Sequence, residues 1–184
     1  MDVTTLIAAL TAAVPDARIE AGAAADQPTV YVAREHLPAV AQALRDRPEF
    51  AFALLADVIA VDLLPQEPRF EVVYHLVAPD RRARLRLKVR VPGADPHVAS
   101  LRTIWPAANW LEREAWDLMG ITFDGHGDLR RLLTPDDWEG HPLRKDYPVQ
   151  IRMTPRTSEP LQVTEEQFRA NVHQDRVARS RSDS

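Results

Sequence analysis

Residues 82–91 read RARLRLKVRV, and this stretch decides the fold. Ala83, Leu85, Leu87, Val89 and Val91 alternate without a break with Arg82, Arg84, Arg86, Lys88 and Arg90. A period of two sends successive side chains to opposite faces of a strand, so one face is apolar and packed while the other is cationic and wet. Two earlier runs rich in strand formers, Phe52 to Leu64 and Phe70 to Val77, are set apart by turn-prone segments. Together the three runs predict an antiparallel meander.

Ahead of the meander the period lengthens. Leu6, Ile7 and Leu10 recur at helical spacing over residues 3–14 until Pro15 stops the run. Val30 to Val32 is a short strand-prone run after Pro28, and Leu37, Val40, Ala41 and Leu44 give a second helix over 36–47. Helices placed before a sheet, without a repeated strand-helix alternation, predict an α+β fold: a two-layer domain whose mostly antiparallel sheet is covered on one face by helices.

Downstream of Pro92 and Gly93 the pattern is lost until Asn109 and Glu112, which have the spacing of a capping box opening a third helix. Gly120 suits its left-handed cap, and Arg113 and Asp117, four apart, are spaced for an ion pair of about 0.2 to 0.5 kcal/mol. Beyond it, Gly125, Gly127, Gly140, Pro135, Pro142 and Pro148 leave little room for regular structure. The last stretch has one aromatic, Phe168, and Thr164 with Gln167 spaced to cap a short helix bearing Phe168 and Val172. The expected organisation is a compact domain over 1–120, an irregular loop region over 121–149 and an extended partner-docking tail over 150–184, long loops commonly serving a function or a partner.

Composition narrows the chemistry. With 23 Lys and Arg against 27 Asp and Glu, the 184-residue chain carries a formal charge of −4, which argues against nucleic acid as its partner. No apolar run approaches the roughly 20 residues that span a bilayer, and Met1 to Leu10 lacks the positive flank of a secretory signal, so membrane contact is expected only through a partner. The chain has no cysteine, which removes disulfides, a thiol nucleophile and cysteine-ligated iron–sulfur clusters.

Several constellations invite a chemical reading. Glu112 and Glu114 resemble an acid–base pair, but residues two apart on a helix diverge, and capping or ion pairing suits them better. His126 and His141 with Asp124, Asp128 and Asp146 can be drawn as a metal site, and a small metallohydrolase using His126, His141 and Asp146 is the alternative from another class, although the spacing matches no compact ligand motif. Gly125-His126-Gly127 lacks the third glycine of a dinucleotide fingerprint. The Arg82 to Arg90 face offers cations to phosphates, or simply a solvated strand surface. In the loop, Arg130, Arg131, Arg144 and Lys145 interleave with Asp128, Asp136, Asp137 and Asp146 beside Trp138 and Tyr147, the composition of an interface with arginine and aromatic anchors.

Residues 105–123, WPAANWLEREAWDLMGITF, and 128–148, DLRRLLTPDDWEGHPLRKDYP, resemble in order the signature of the 30-kilodalton subunit family of the proton-translocating NADH:quinone oxidoreductase, respiratory complex I. The matching pieces are Glu112-Arg113-Glu114, Trp116 to Gly120, Asp128 to Arg131 and Gly140 to Pro148. One departure is that Gly127 follows His126 where the family carries proline, which loosens the loop without removing a charge. The resemblance implies a non-catalytic subunit without cofactors, peripheral at the cytoplasmic side of the cell membrane, beside quinone-site and iron–sulfur subunits. FMN and iron–sulfur clusters would reside in those partners and the acceptor would be ubiquinone or menaquinone. A related membrane-bound hydrogenase or other quinone-reducing complex could use an equivalent subunit. The implied contact residues are Glu112, Arg113, Glu114, Asp128, Arg130, Arg131, Trp138, His141, Arg144, Lys145, Asp146 and Tyr147, with none catalytic or metal-binding.

Overall fold

Leu6 and Leu10, one helical turn apart, are the residues that α1 (Val3–Ala13) buries, and Pro15 lies just past its end. The computed structural model describes residues 3–23 and 26–148. Met1–Tyr147 forms one compact unit. The expected tail over 150–184, with its Thr164 to Gln167 cap, falls outside the described residues.

After α1 come β1 (Ile19–Ala21), β2 (Thr29–Val32) and α2 (Leu37–Asp46). Pro38 sits in the first turn of α2, where its missing N–H would have had no helical acceptor. The meander follows as β3 (Leu54–Asp62), β4 (Phe70–Ala78) and β5 (Ala83–Val91), each pairing antiparallel with the next. β5 coincides with the alternating run read from the sequence.

The full sheet has the order β1-β2-β5-β4-β3, in which β2 joins β5 in parallel and β1 pairs antiparallel with β2. Register partners set the faces: Val58, Tyr74 and Leu87 stand in one row across the meander, and Ala60, Val72 and Val89 in another. Those rows, with Phe70, Leu76, Leu85 and Val91, make the core face, against which Leu6 and Leu10 of α1 and Leu37, Val40 and Leu44 of α2 are buried. Each such fully buried aliphatic side chain contributes about 1.5 to 3 kcal/mol.

On the open face the cationic row of β5 meets carboxylates. Arg86 pairs with Asp26 at 2.8 Å, Lys88 with Glu71 at 2.7 Å and Arg90 with Glu20 at 3.4 Å. Arg90 also lies 4.1 Å over the ring of Tyr31. Arg86, Lys88 and Arg90 are thus answered by β1, β4 and the β1–β2 connection, so this part of the row is a paired strand surface rather than an open cationic stripe.

Past β5 come β6 (His97–Ala99), α3 (Ala108–Met119) and β7 (Thr122–Asp124), with β6 and β7 forming a parallel two-stranded sheet. Three-residue strands are too short to display a period, which is why β1, β6 and β7 escape sequence reading. α3 begins two residues earlier than the capping box implied. Its N-cap is Ala107, without a side-chain cap, and Asn109 lies inside the first turn. At the other end Gly120 takes φ 70°, and its N–H donates to Trp116 O at 2.8 Å, the left-handed termination that the sequence predicted.

Candidate functional site

The last turn of α3 exposes carbonyls with no acceptor role inside the helix, and the loop after it supplies the missing donors. Arg131 donates to Asp117 O at 3.1 Å and His141 Nδ1 to the same oxygen at 2.9 Å. Leu143 N–H donates to Leu118 O at 3.0 Å, and Arg144 donates to Met119 O at 2.6 Å and to Gly120 O at 3.1 Å. Cations at this end also favour the negative pole of the helix dipole. A Cβ on Gly120 would collide with His141 and Arg144, so glycine is required there both by backbone conformation and by packing.

Asp117 is the second anchor. It is fully buried, yet its carboxylate accepts from Leu132 N at 2.9 Å, Leu133 N at 2.7 Å and Thr134 N at 3.0 Å, as well as from the Thr134 hydroxyl and Arg131. Burial opposes its charge, but the donors of Thr134, Arg131 and Leu132 outweigh that cost and hold the carboxyl well below the usual carboxylate range. Three successive N–H groups aimed at one oxygen fold residues 132–134 around it. Arg131 extends the anchor by donating to Trp138 O at 2.6 Å and Gly140 O at 3.0 Å.

Arg113 does not pair with Asp117 as the four-residue spacing suggested. It donates instead to Arg130 O at 3.3 Å and Arg131 O at 3.1 Å, while Asp117 takes Arg131. The spacing rule describes side chains on a solvated helix surface, and here both residues are buried against the loop.

A third anchor ties the loop to the meander. Arg69 forks onto Asp62 at 3.0 and 2.7 Å and onto Asp146 at 2.8 and 2.7 Å, while Lys145 N–H donates to Asp62 at 2.9 Å. The Arg69 hydrogen bond, with those from the backbone of Lys145 and Leu64, holds the Asp62 carboxyl well below its ordinary range against the cost of burial. Lys145 Nζ donates to Leu64 O at 3.2 Å, and Tyr147 donates to Glu139 O at 3.1 Å. Sequence reasoning missed Asp62, Arg69 and the anchoring role of Asp117. The available signal was Asp62 itself, an acid on the core-facing side of an apolar strand, a position that needs a buried partner.

Among the described residues Glu112 makes no ion pair, and it caps no helix of its own. Its carboxylate is fully buried and accepts from Ser100 Oγ at 2.6 Å and Leu101 N at 2.7 Å, bracing the turn before α3. Burial pushes its carboxyl up to about 7. The neighbouring Tyr74 hydroxyl is buried without a hydrogen-bond partner among the described residues and is raised by burial first and by Glu112 second. Glu114 points away, exposed and without a partner among the described residues.

The three residues of the metal alternative are held apart by other duties. His126 donates from Nε2 to Asn109 O at 2.9 Å and accepts Asp128 N–H at Nδ1, His141 serves Asp117 O, and Asp146 serves Arg69. Among the described residues no group of three His, Asp or Glu side chains is arranged to hold a metal ion. Asp128 and Arg130 pair with each other at 2.7 Å on the surface, and the Trp138 indole N–H is buried without a partner among the described residues. No helix of the described residues is long and apolar enough to cross a membrane.

The clamp therefore uses most of the arginine and histidine donors of the loop internally. Trp110, Leu133 and Leu143 remain as large apolar groups more than half exposed, and the Arg130 side chain is exposed as well.

Comparison with known proteins falls on this same region. Residues 30–152 match the family described as respiratory-chain NADH dehydrogenase, 30 Kd subunit. The NADH-quinone oxidoreductase C subunit of Roseiflexus sp. (strain RS-1) is 48% identical over 149 residues, which cover 81% of this chain and 86% of that protein. The corresponding protein of Geobacter sulfurreducens is 52% identical over 123 residues, 66% of this chain and 75% of the relative. Among solved structures, the trypsin-resistant fragment (1-134) of Nqo5 aligns with a TM-score of 0.56 at 32% identity, covering 70% of this chain and all (100%) of that one. A chain of the membrane-bound sulfane sulfur reductase, an archaeal respiratory membrane complex, shares the fold with a TM-score of 0.67 at 24% identity over 79% of this chain and 85% of its own. The family match runs from β2 past the last clamp residue, and on it this chain belongs to the 30 Kd subunit family of the respiratory-chain NADH dehydrogenase.

Proposed function

We propose that this chain is a non-catalytic subunit of the peripheral arm of a proton-translocating NADH:quinone oxidoreductase, positioned on the cytoplasmic side of the cell membrane. It holds quinone-site and iron–sulfur subunits in place while FMN and the iron–sulfur clusters of those partners pass electrons from NADH to ubiquinone or menaquinone. The sequence family of its relatives, each named as a C subunit of NADH-quinone oxidoreductase, supports the assignment to such a complex.

One observation carries the scaffolding role: the polar groups of the family segment are spent on fixing the shape of an irregular loop. Arg113, Arg131, His141, Arg144, Asp117 and Asp146 each bind backbone or an opposite charge of the same chain. A loop stiffened in this way presents a preformed surface, and preformed surfaces lose less entropy on association. In this reading Glu112, Arg113, His141 and Arg144 shape the contact surface from beneath, whereas Glu114, Asp128, Arg130, Trp138, Lys145 and Tyr147 lie at or near it.

Gentle solubilisation of membranes and affinity capture of the tagged chain tests this. The expected result is co-purification of iron–sulfur and quinone-site subunits with NADH:quinone reductase activity, and no turnover by the chain alone. Turnover of a substrate by the isolated polypeptide, or a prosthetic group bound tightly to it, overturns the reading.

A further inference from the structure

Exposed apolar side chains are not scattered evenly over the described residues. Of the six large ones, Leu54 and Ile59 belong to β3, Leu64 lies two residues past its end, and Leu143 faces it from the loop. β3 is an edge strand of nine residues, paired on one side only, with β4. Long apolar edges invite further pairing, and soluble proteins usually blunt them with lysine, proline or shortness. The opposite edge follows that rule, since β1 has three residues. β3 does not, for its sequence LLADVIAVD holds no cation and no proline, and a bulge between Leu55 and Asp57 leaves the stretch from Asp57 to Asp62 regular.

Alongside this edge runs a groove of about 130 Å³, bounded by Ile59 and Ala60 on β3, Ala115 and Leu118 on α3, and Leu143 at the loop. That volume is close to that of apolar cavities known to admit a benzene-sized group, so it seats one apolar side chain. Two carboxylates, Asp57 and Glu114, stand on its rims. Among the described residues Glu114 makes no ion pair and Asp57 accepts only the N–H of Val58, at 2.8 Å. The site is thus apolar at its floor, anionic at both rims and edged by a strand that, among the described residues, pairs only with β4, its Val58 N–H being held by Asp57.

We propose that this groove seats an extended segment of another subunit of the complex, one carrying an apolar residue next to lysine or arginine. The segment pairs its backbone with the free edge of β3, sets the apolar side chain between Ile59, Leu118 and Leu143, and brings its cation to Asp57 and Glu114. This rests on the reading of the chain as part of a larger assembly. Charge complementarity selects the occupant, because a second copy of this chain would bring the same acidic rims against each other.

The test places a photoreactive benzoylphenylalanine at Ile59, a half-exposed position, in the membrane complex. Illumination is expected to join it to one other polypeptide, at a peptide containing lysine or arginine beside apolar residues. Adding Asp57→Lys and Glu114→Lys is expected to lower the adduct yield by about fivefold or more, since two rim charges then repel the cation. If the complex co-purifies intact and active but Ile59 forms no adduct, or joins a second copy or the chain's own C-terminal residues, the groove proposal is wrong and the scaffolding reading survives. If the chain co-purifies with no other polypeptide of the complex, both are wrong.

Discussion

The carboxylate of Asp117 and the guanidinium of Arg131 meet at 2.9 Å with the acid fully enclosed and the arginine only 15% exposed. Neither group tolerates the loss of the other, because a lone charge at that depth has no solvent to turn to. The pair joins the last turns of α3 to residues 132–140, and so decides whether the family loop has one shape or many.

Asp117→Ala is therefore expected to cost about 3 to 5 kcal/mol, the range for breaking a buried ion pair. Thermal unfolding of the isolated chain should show it as a fall of roughly 6 to 20 °C, at about 2 to 4 °C per kcal/mol for a domain of this size. Arg131→Met should cost a comparable amount, and the double variant Asp117→Leu with Arg131→Met less than the sum, since the pair is then removed together. A melting temperature unchanged in either single variant would contradict the clamp.

Glu112 gives a pH dependence of the opposite sense to ordinary carboxylates. Its folded value of about 7 lies above its ordinary 4.5, so the folded state holds the proton more tightly than the unfolded chain does. The stability it contributes is complete below pH 4.5 and is lost as pH rises toward 7. The loss is on the order of 3 kcal/mol, at about 1.4 kcal/mol per pH unit. Glu112→Gln keeps an acceptor for Leu101 N–H and cannot ionise, so it should match the natural chain at pH 4 and exceed its stability at pH 8. Denaturant titrations at the two pH values check this, and equal stabilities at pH 8 would count against it.

The contrast between what the sequence disclosed and what it concealed follows from range. β5 could be read to the residue because an uninterrupted alternation needs only nearest neighbours, and Gly120 was readable because a left-handed cap is a property of one backbone position. The parallel joining of β2 to β5 depends on residues far apart in the chain and leaves no local mark. The same holds at the site. Arg131, Arg144 and Asp146 stood out as members of a charged cluster and His141 as an implied contact residue, but their partners are helix carbonyls, the Asp117 carboxylate and Arg69, 77 positions from Asp146. The Arg113–Asp117 pair failed because the spacing rule assumes solvent around the helix and here the loop takes its place, whereas the Asn109 cap failed because the turn over residues 105–107 carries the helix start upstream of it.

Two glycines separate backbone strain from crowding. Gly120 and Gly125 both have positive φ, of 70° and 80°, but a Cβ at Gly125 meets nothing within 4 Å while one at Gly120 strikes His141 and Arg144. Gly125→Ala should cost about 1 kcal/mol, the left-handed penalty for an L-residue. Gly120→Ala should cost clearly more, and it should also expose the peptide bonds after Arg144 and Lys145 to trypsin, since Arg144 must release the helix carbonyls. Equal melting temperatures for the two variants would place the loop elsewhere.

Arg69 offers the sharpest partition of energy, because its two acids differ in exposure. The Asp62 side chain is 2% exposed and that of Asp146 52%. Asp146→Asn removes a solvent-screened partner and should cost no more than about 1 kcal/mol. Arg69→Met strands the Asp62 charge and should cost about 3 to 5 kcal/mol, and Arg69→Lys should recover only part of this because an ammonium cannot fork onto both acids. Acid sensitivity supplies the independent reading. Asp62 is held below its ordinary 3.8, so its contribution is present above that pH and is lost as pH falls through the folded value. Arg69→Met removes the largest cause of that depression, so the variant should lose less stability between pH 4 and pH 2 than the natural chain. If both chains lose the same amount over that interval, the fork does not hold the loop to the meander.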